Sequence, residues 1–210
     1  IPKFEIYIDM PNDMTITCKV KATYDSMNGM KESFDIFSSD NERFNDEQSA
    51  EVKRNFYLEN KTAKLISPFF DRLDPQSKEL VLVADSYMDD KLYVFIAEKT
   101  DYLSPIGDVF VSDAIKSVNI EKNLKVTLGV SVVSDLLELS MVPETLSPGE
   151  LNEILSQYDK KRKYYKLKSG EVVIVASEDA KMLFALKEGL GITPGQIVEG
   201  HASVPRYRAL

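Results

Sequence analysis

A chain of 210 residues, 43% hydrophobic and 29% charged, can bury roughly 70% of its unfolded surface in a core, which excludes an intrinsically disordered polymer. Its formal net charge of −8 excludes a molecule drawn as a whole to polyanions, so any nucleic-acid contact has to be local. The single cysteine, Cys18, and the single histidine, His201, exclude an intrachain disulfide and a zinc site built from Cys and His.

In chain order, Phe4, Ile6 and Ile8 alternate with polar residues, Pro11, Asn12 and Asp13 turn the chain, and Ile16, Cys18, Val20 and Ala22 alternate again, which predicts a hairpin. Asn28 and Gly29 mark the next turn, and residues 31–37 a short strand. Asp46 is a candidate N-cap for a charged helix over about residues 47–60, with Val52, Phe56 and Tyr57 as its apolar positions. Asp74 and Pro75 precede the apolar run 80–84. A second helix is expected over 90–99, with Leu92, Tyr93, Phe95 and Ile96 inward, broken by Ser104, Pro105 and Gly107. Residues 109–111 read as a very short strand and 112–118 as a helical turn or two. Val126, Leu128, Val130 and Val132 then share one face of a strand, Ser134 and Asp135 turn, and Leu137, Leu139 and Met141 alternate on its partner.

Residues 146–170, LSPGELNEILSQYDKKRKYYKLKSG, organise the rest. Ser147, Pro148 and Glu150 have the spacing of a capping box, and Leu151, Ile154, Leu155 and Tyr158 form one apolar stripe. The helix is expected to end in Lys160, Lys161, Arg162 and Lys163, where cations meet the negative end of its dipole. Lys166 and Lys168 bring the run to six positive charges in nine residues. Tyr164 and Tyr165 alternate faces, so one is expected in the core and the other exposed. Ser169 and Gly170 turn into a returning strand, 172–175. Ser177 then caps a helix with Ala180, Leu183, Phe184 and Leu190 inward, ending at Gly189 or Gly191. The fold class expected is α+β, a mixed α/β domain with antiparallel β-hairpins and several short packed helices. Its expected parts are 1–145, then 146–200 packed on the same core, then a connector, 201–210.

Catalytic constellations are missing from the sequence. No phosphate loop, dinucleotide-binding glycine motif or G-x-S-x-G elbow occurs, and His201 in a polar tail is a poor general base. The carboxylate pairs Asp89 with Asp90 and Asp40 with Glu42 fit solvated loop or helix-start residues, and no metal or other cofactor is expected. No apolar run of 18 residues and no leader pattern occurs, so a cytoplasmic protein without a membrane span is expected. Ile1 in place of a methionine fits a segment of a longer polypeptide. The basic run has two readings. A charge run of this kind ordinarily marks a solvated surface. Lysines with interleaved tyrosines also supply phosphate pairing and stacking, which makes Lys160, Lys161, Arg162, Lys163, Tyr164, Lys166 and Lys168 candidate nucleic-acid contacts.

The run YDKKRKYYKLKSGEVVIV (158–175) and the tail VPRYRAL (204–210) resemble the helicase-associated region of bacterial Swi/Snf-type DNA-dependent ATPases. The resemblance covers the last fifty residues well and the remainder loosely: Arg43 is followed by Phe44 where that family's R-D-x-x-x-E pattern has Asp. It implies a non-catalytic accessory domain that positions or regulates a motor, with the motor lobes of the same polypeptide and DNA as partners and no small-molecule substrate. It carries over no catalytic residue. The competing reading is a stand-alone acidic module that docks a basic protein.

Overall fold

Strict alternation near the start of the chain produces a β-hairpin, because one face of each strand has to leave water. The computed structural model describes residues 1–26, 29–38, 52–120 and 122–209. In it β1 (Lys3–Asn12) and β2 (Thr15–Asp25) run antiparallel, with Ile6 opposite Val20 and Ile8 opposite Cys18, all fully or nearly fully buried. β3 (Lys31–Asp35) returns along β2. β4 (Arg72–Leu73), β5 (Leu80–Val83) and β6 (Asp108–Val111) complete a sheet ordered β4-β5-β2-β1-β6, in which β6 is parallel to β1. One face packs on Ile66, Leu92, Phe95, Leu103 and Ile115. The opposite face carries Tyr7 stacked on Phe110, with ring centroids 5.0 Å apart.

The first helix departs from expectation. Residues 39–51 lie outside the described residues, residues 52–55 are not helical, and α1 is Phe56–Ile66. Its N-cap is Asn55, whose side-chain oxygen accepts from Leu58 N–H at 3.1 Å, and the expected cap, Asp46, lies outside the described residues. The buried face is Glu59, Thr62 and Ile66, while Tyr57, expected as an apolar position, is exposed. A buried ion pair sets this phase. Arg54 reaches Glu59 through both Nε (3.2 Å) and Nη2 (2.7 Å), Tyr24 Oη donates to Glu59 Oε1 at 2.7 Å, and Asn55 N–H donates to Tyr24 Oη at 2.8 Å. Arg54 also lies over the rings of Phe34 and Phe56. Burial, then the Glu59 carboxylate, pushes the Tyr24 phenol up.

The expected second helix is α2 (Lys91–Val94) continuing through a π turn, Phe95–Lys99, into a 3-10 turn, Thr100–Leu103. Leu92, Tyr93 and Phe95 are buried as expected. Asp89 is a helix-start residue: its carboxylate accepts from Lys91 N–H at 3.0 Å and from Asp85 N–H at 2.8 Å. α3 is Asp113–Lys116.

The chain divides into two compact units, Ile1–Ser117 and Val118–Leu210, each with its own apolar core. The division falls after Ser117 and not at 145/146, because Leu137, Leu139 and Met141 share a core with Leu151, Leu155 and Phe184. The second unit has two three-stranded sheets. One is β10 (Tyr164–Lys166), β11 (Val172–Ile174) and β7 (Lys122–Asn123), in the order β10-β11-β7. The other is β12 (His201–Pro205), β9 (Leu136–Pro143) and β8 (Val126–Val133), in the order β12-β9-β8. Residues 201–205, expected in a connector, are thus a core strand: Ala202 and Val204 alternate inward beside Leu139 and Leu137. α4 (Pro148–Gln157) and α5 (Glu178–Gly189) complete an α+β fold, as expected. Among the described residues no helix is long and apolar enough to cross a membrane.

Candidate nucleic-acid interface

The basic segment is held by a helix whose start is fixed chemically. Ser147 Oγ accepts from Glu150 N–H at 3.2 Å, and Glu150 Oε2 accepts from Ser147 N–H at 2.8 Å, the reciprocal bonds of a capping box. These bonds to Ser147 hold the Glu150 carboxyl below its ordinary range. Leu151, Ile154 and Leu155 are fully buried, as their spacing predicts.

The helix stops at Gln157, earlier than expected. Tyr158 is extended (φ −61°, ψ 130°) and stacks on Phe184. Asp159 then forms a turn, its side chain accepting from Lys161 N–H at 2.9 Å and its carbonyl from Arg162 N–H at 3.0 Å. Lys160, Lys161, Arg162 and Lys163 therefore lie in a loop and not in the last helical turn, which contains no basic residue. The cation that meets the helix end is Lys187, whose Nζ donates to the Leu155 carbonyl. Burial pushes the Lys187 amine down. This role is not legible in the sequence, because the contact joins residues 32 positions apart on two helices.

The hairpin that follows forms as expected, with Tyr165 opposite Val173. Leu167 N–H donates to Glu171 O at 2.8 Å, and the turn needs Gly170 at φ +94°. Both tyrosines are buried, Tyr164 7% and Tyr165 6% exposed, which corrects the expectation that one faces solvent. The helix packs on one face of this short hairpin, and Tyr165 Oη donates to Gln157 Oε1 across that contact. Tyr164 therefore presents no open ring for stacking.

Carboxylates surround the cations. Lys160 Nζ pairs with Glu188 at 2.6 Å, an exposed contact that pushes its amine up, and Glu153 Oε1 accepts from the backbone N–H of Lys168 at 2.9 Å. Lys122, on the neighbouring strand, pairs with Glu171 at 2.8 Å. Lys161, Lys163 and Lys168 are exposed, while Arg162 and Lys166 are half-buried. At the chain's other basic site, Arg206 and Arg208 are exposed in a 3-10 turn, and Arg208 Nη1 donates to Gly191 O at 3.4 Å. His201 is exposed on β12, and no group of three or more His, Cys, Asp or Glu suited to a metal ion occurs among the described residues.

A family model described as bacterial SNF2 helicase associated matches residues 1–210, the whole chain, in agreement with the resemblance carried by the basic hairpin and the tail. No curated protein and no solved structure matches the chain significantly.

Proposed function

Because the chain belongs to the bacterial SNF2 helicase-associated family, we propose that it is a non-catalytic accessory region of an ATP-dependent DNA motor, positioning or regulating the motor lobes of the same polypeptide. The observation that carries this reading is the match over the full 210 residues. The hairpin is the proposed contact to DNA or to a motor lobe, through Lys161, Lys163 and Lys168 on its exposed side, with Lys160, Arg162 and Lys166 flanking them. Neutralising three or four phosphates contributes a logarithmic salt slope of only about 3 to 4. The contact is therefore weak alone and gains from motor lobes that hold DNA nearby at high effective concentration. A second reading, docking to a basic protein surface, is favoured by one observation: Ile1–Ser117 has 22 Asp and Glu against 14 Lys and Arg.

The test compares DNA-stimulated ATP hydrolysis by the longer polypeptide with and without residues 1–210. The accessory role predicts that stimulation changes on deletion, while isolated residues 1–210 give a flat calorimetric titration with magnesium-ATP. Unchanged stimulation, or saturable nucleotide binding by the isolated chain, overturns it.

A further inference from the structure

β8 is the outer strand of its sheet: β9 pairs with one edge, and among the described residues no strand pairs with the other. In an antiparallel hairpin, residues alternate between pairs bonded to the partner strand and pairs whose backbone groups point away. Glu144 N–H donates to Lys125 O at 3.0 Å, one residue before β8 begins. That phase bonds Thr127, Gly129, Ser131 and Val133 to β9 and turns the N–H and C=O of Val126, Leu128, Val130 and Val132 toward the free edge. The two-residue turn at Ser134 and Asp135, with Ser134 at φ 57°, closes on the Val133–Leu136 pair in the same phase.

The side chains of those four residues lie on the sheet's inner face, and cover fades toward β8. Across one row Val204, Leu137 and Val132 are 0%, 9% and 54% exposed, and across the next Ala202, Leu139 and Val130 are 4%, 1% and 59% exposed. Sheet edges are ordinarily guarded by charge, proline or a bulge. β8 reads VTLGVSVV, with no charge and no proline, and its register with β9 is unbroken from Val126 to Val133.

We propose that β8 is a pairing edge for a second copy of this chain, antiparallel about a twofold axis through Gly129. In that register Val126 faces Val132 of the second copy and Leu128 faces Val130. Every unpaired backbone position on the edge is then used, and the apolar inner faces stay on the same side. Thr127 faces Ser131 on the outer side, and Gly129 faces Gly129 on the axis. Charge favours a like partner: Val118–Leu210 has twelve acids and twelve Lys and Arg, and β8 has no charge with which to select a charged strand. Two eight-residue edges bury less than the roughly 1,200–2,000 Å² of a standard interface, so the dimer is weak and concentration-dependent. Salt strengthens it by screening the net −8 of each chain.

The test is sedimentation of residues 1–210 up to about 0.5 mM, a range suited to a small interface, together with cross-linking of Gly129→Cys. An on-axis pair of this phase places the two Cα atoms about 4.5 Å apart, within disulfide reach. An added Cβ at Gly129 meets only Ser140 Cβ, at 3.5 Å, and the native Cys18 is fully buried and does not compete. Expected are a concentration-dependent dimer, a majority of disulfide-linked dimer for Gly129→Cys under mild oxidation, and little for Val142→Cys, which is exposed on β9 away from the edge. Val130→Lys should sediment as a monomer with an unchanged circular dichroism spectrum. A monomer at every concentration, equal cross-linking at both cysteine positions, or a dimer that survives Val130→Lys overturns the proposal.

Discussion

The two units differ in where they keep their charge. Ile1–Ser117 carries the whole net −8 and yet buries an ion pair, Arg54 with Glu59, at 0% side-chain exposure. Val118–Leu210 is balanced at twelve and twelve, buries no charged residue among those described, and gathers six cations into nine residues at its surface. Net charge is therefore a poor guide to where charge acts in this chain: the neutral unit holds the run of six cations, and the acidic unit holds Arg54, the cation most deeply withdrawn from water among the described residues.

The largest expected effect breaks the buried pair. Arg54→Ala leaves Glu59 uncompensated in the core and should destabilise the first unit by about 3–5 kcal/mol. Hydrogen exchange should show protection lost across residues 1–117 and kept across 118–210; a loss spread evenly over both would mean that the two cores do not unfold independently. In the second unit, Leu155→Ala should cost about 2–5 kcal/mol by opening a cavity, with protection lost across 118–210 instead, while exposed Ser156→Ala stays within about 0.5 kcal/mol. Equal urea midpoints for these two variants would show that the helix face is misassigned.

Local signals were legible where chemistry is local. The capping box at Ser147, the stripe Leu151, Ile154 and Leu155, the Ser177 cap and the alternation of β1, β2 and β9 all follow from spacing alone. What could not be read depends on partners distant in sequence. Arg54 and Glu59 look like solvated helix charges until Tyr24, more than thirty residues upstream, supplies the hydroxyl that completes their network. The same holds for Lys187 at the end of α4 and for Tyr165 of the hairpin, whose hydroxyl meets Gln157 eight residues upstream, while Tyr164 on the opposite face is also buried. The readable signal for the start of α1 was Asn55, a residue type preferred at an N-cap, directly before residues 56–66.

Smaller effects sharpen the comparison. Ser147→Ala should cost about 1 kcal/mol through lost capping, confined to the second unit and measured by its urea midpoint. The smallest expected effect concerns pH. Burial pushes the Asp71 carboxyl up, but the Lys91 ammonium at 2.6 Å and the Val83 N–H at 2.8 Å outweigh it and hold it low. Its contribution to the first unit is thus complete above the ordinary carboxylate pKa of about 4 and lost as pH falls through the depressed folded value. Melting of Asp71→Asn should show a shallower fall in acid than the parent chain, and parallel curves would remove this pair from the account.

The central claim is that a local basic hairpin on a neutral unit serves the motor. The most direct measurement is DNA-stimulated ATP hydrolysis by the longer polypeptide carrying Lys161→Glu with Lys168→Glu, two exposed side chains whose reversal should leave the melting temperature of residues 1–210 nearly unchanged. The account predicts reduced stimulation, with a salt dependence shallower than that of the parent by about 1 to 2 logarithmic units of slope. Full stimulation with an unaltered salt slope would contradict it and return these lysines to an ordinary solvated surface.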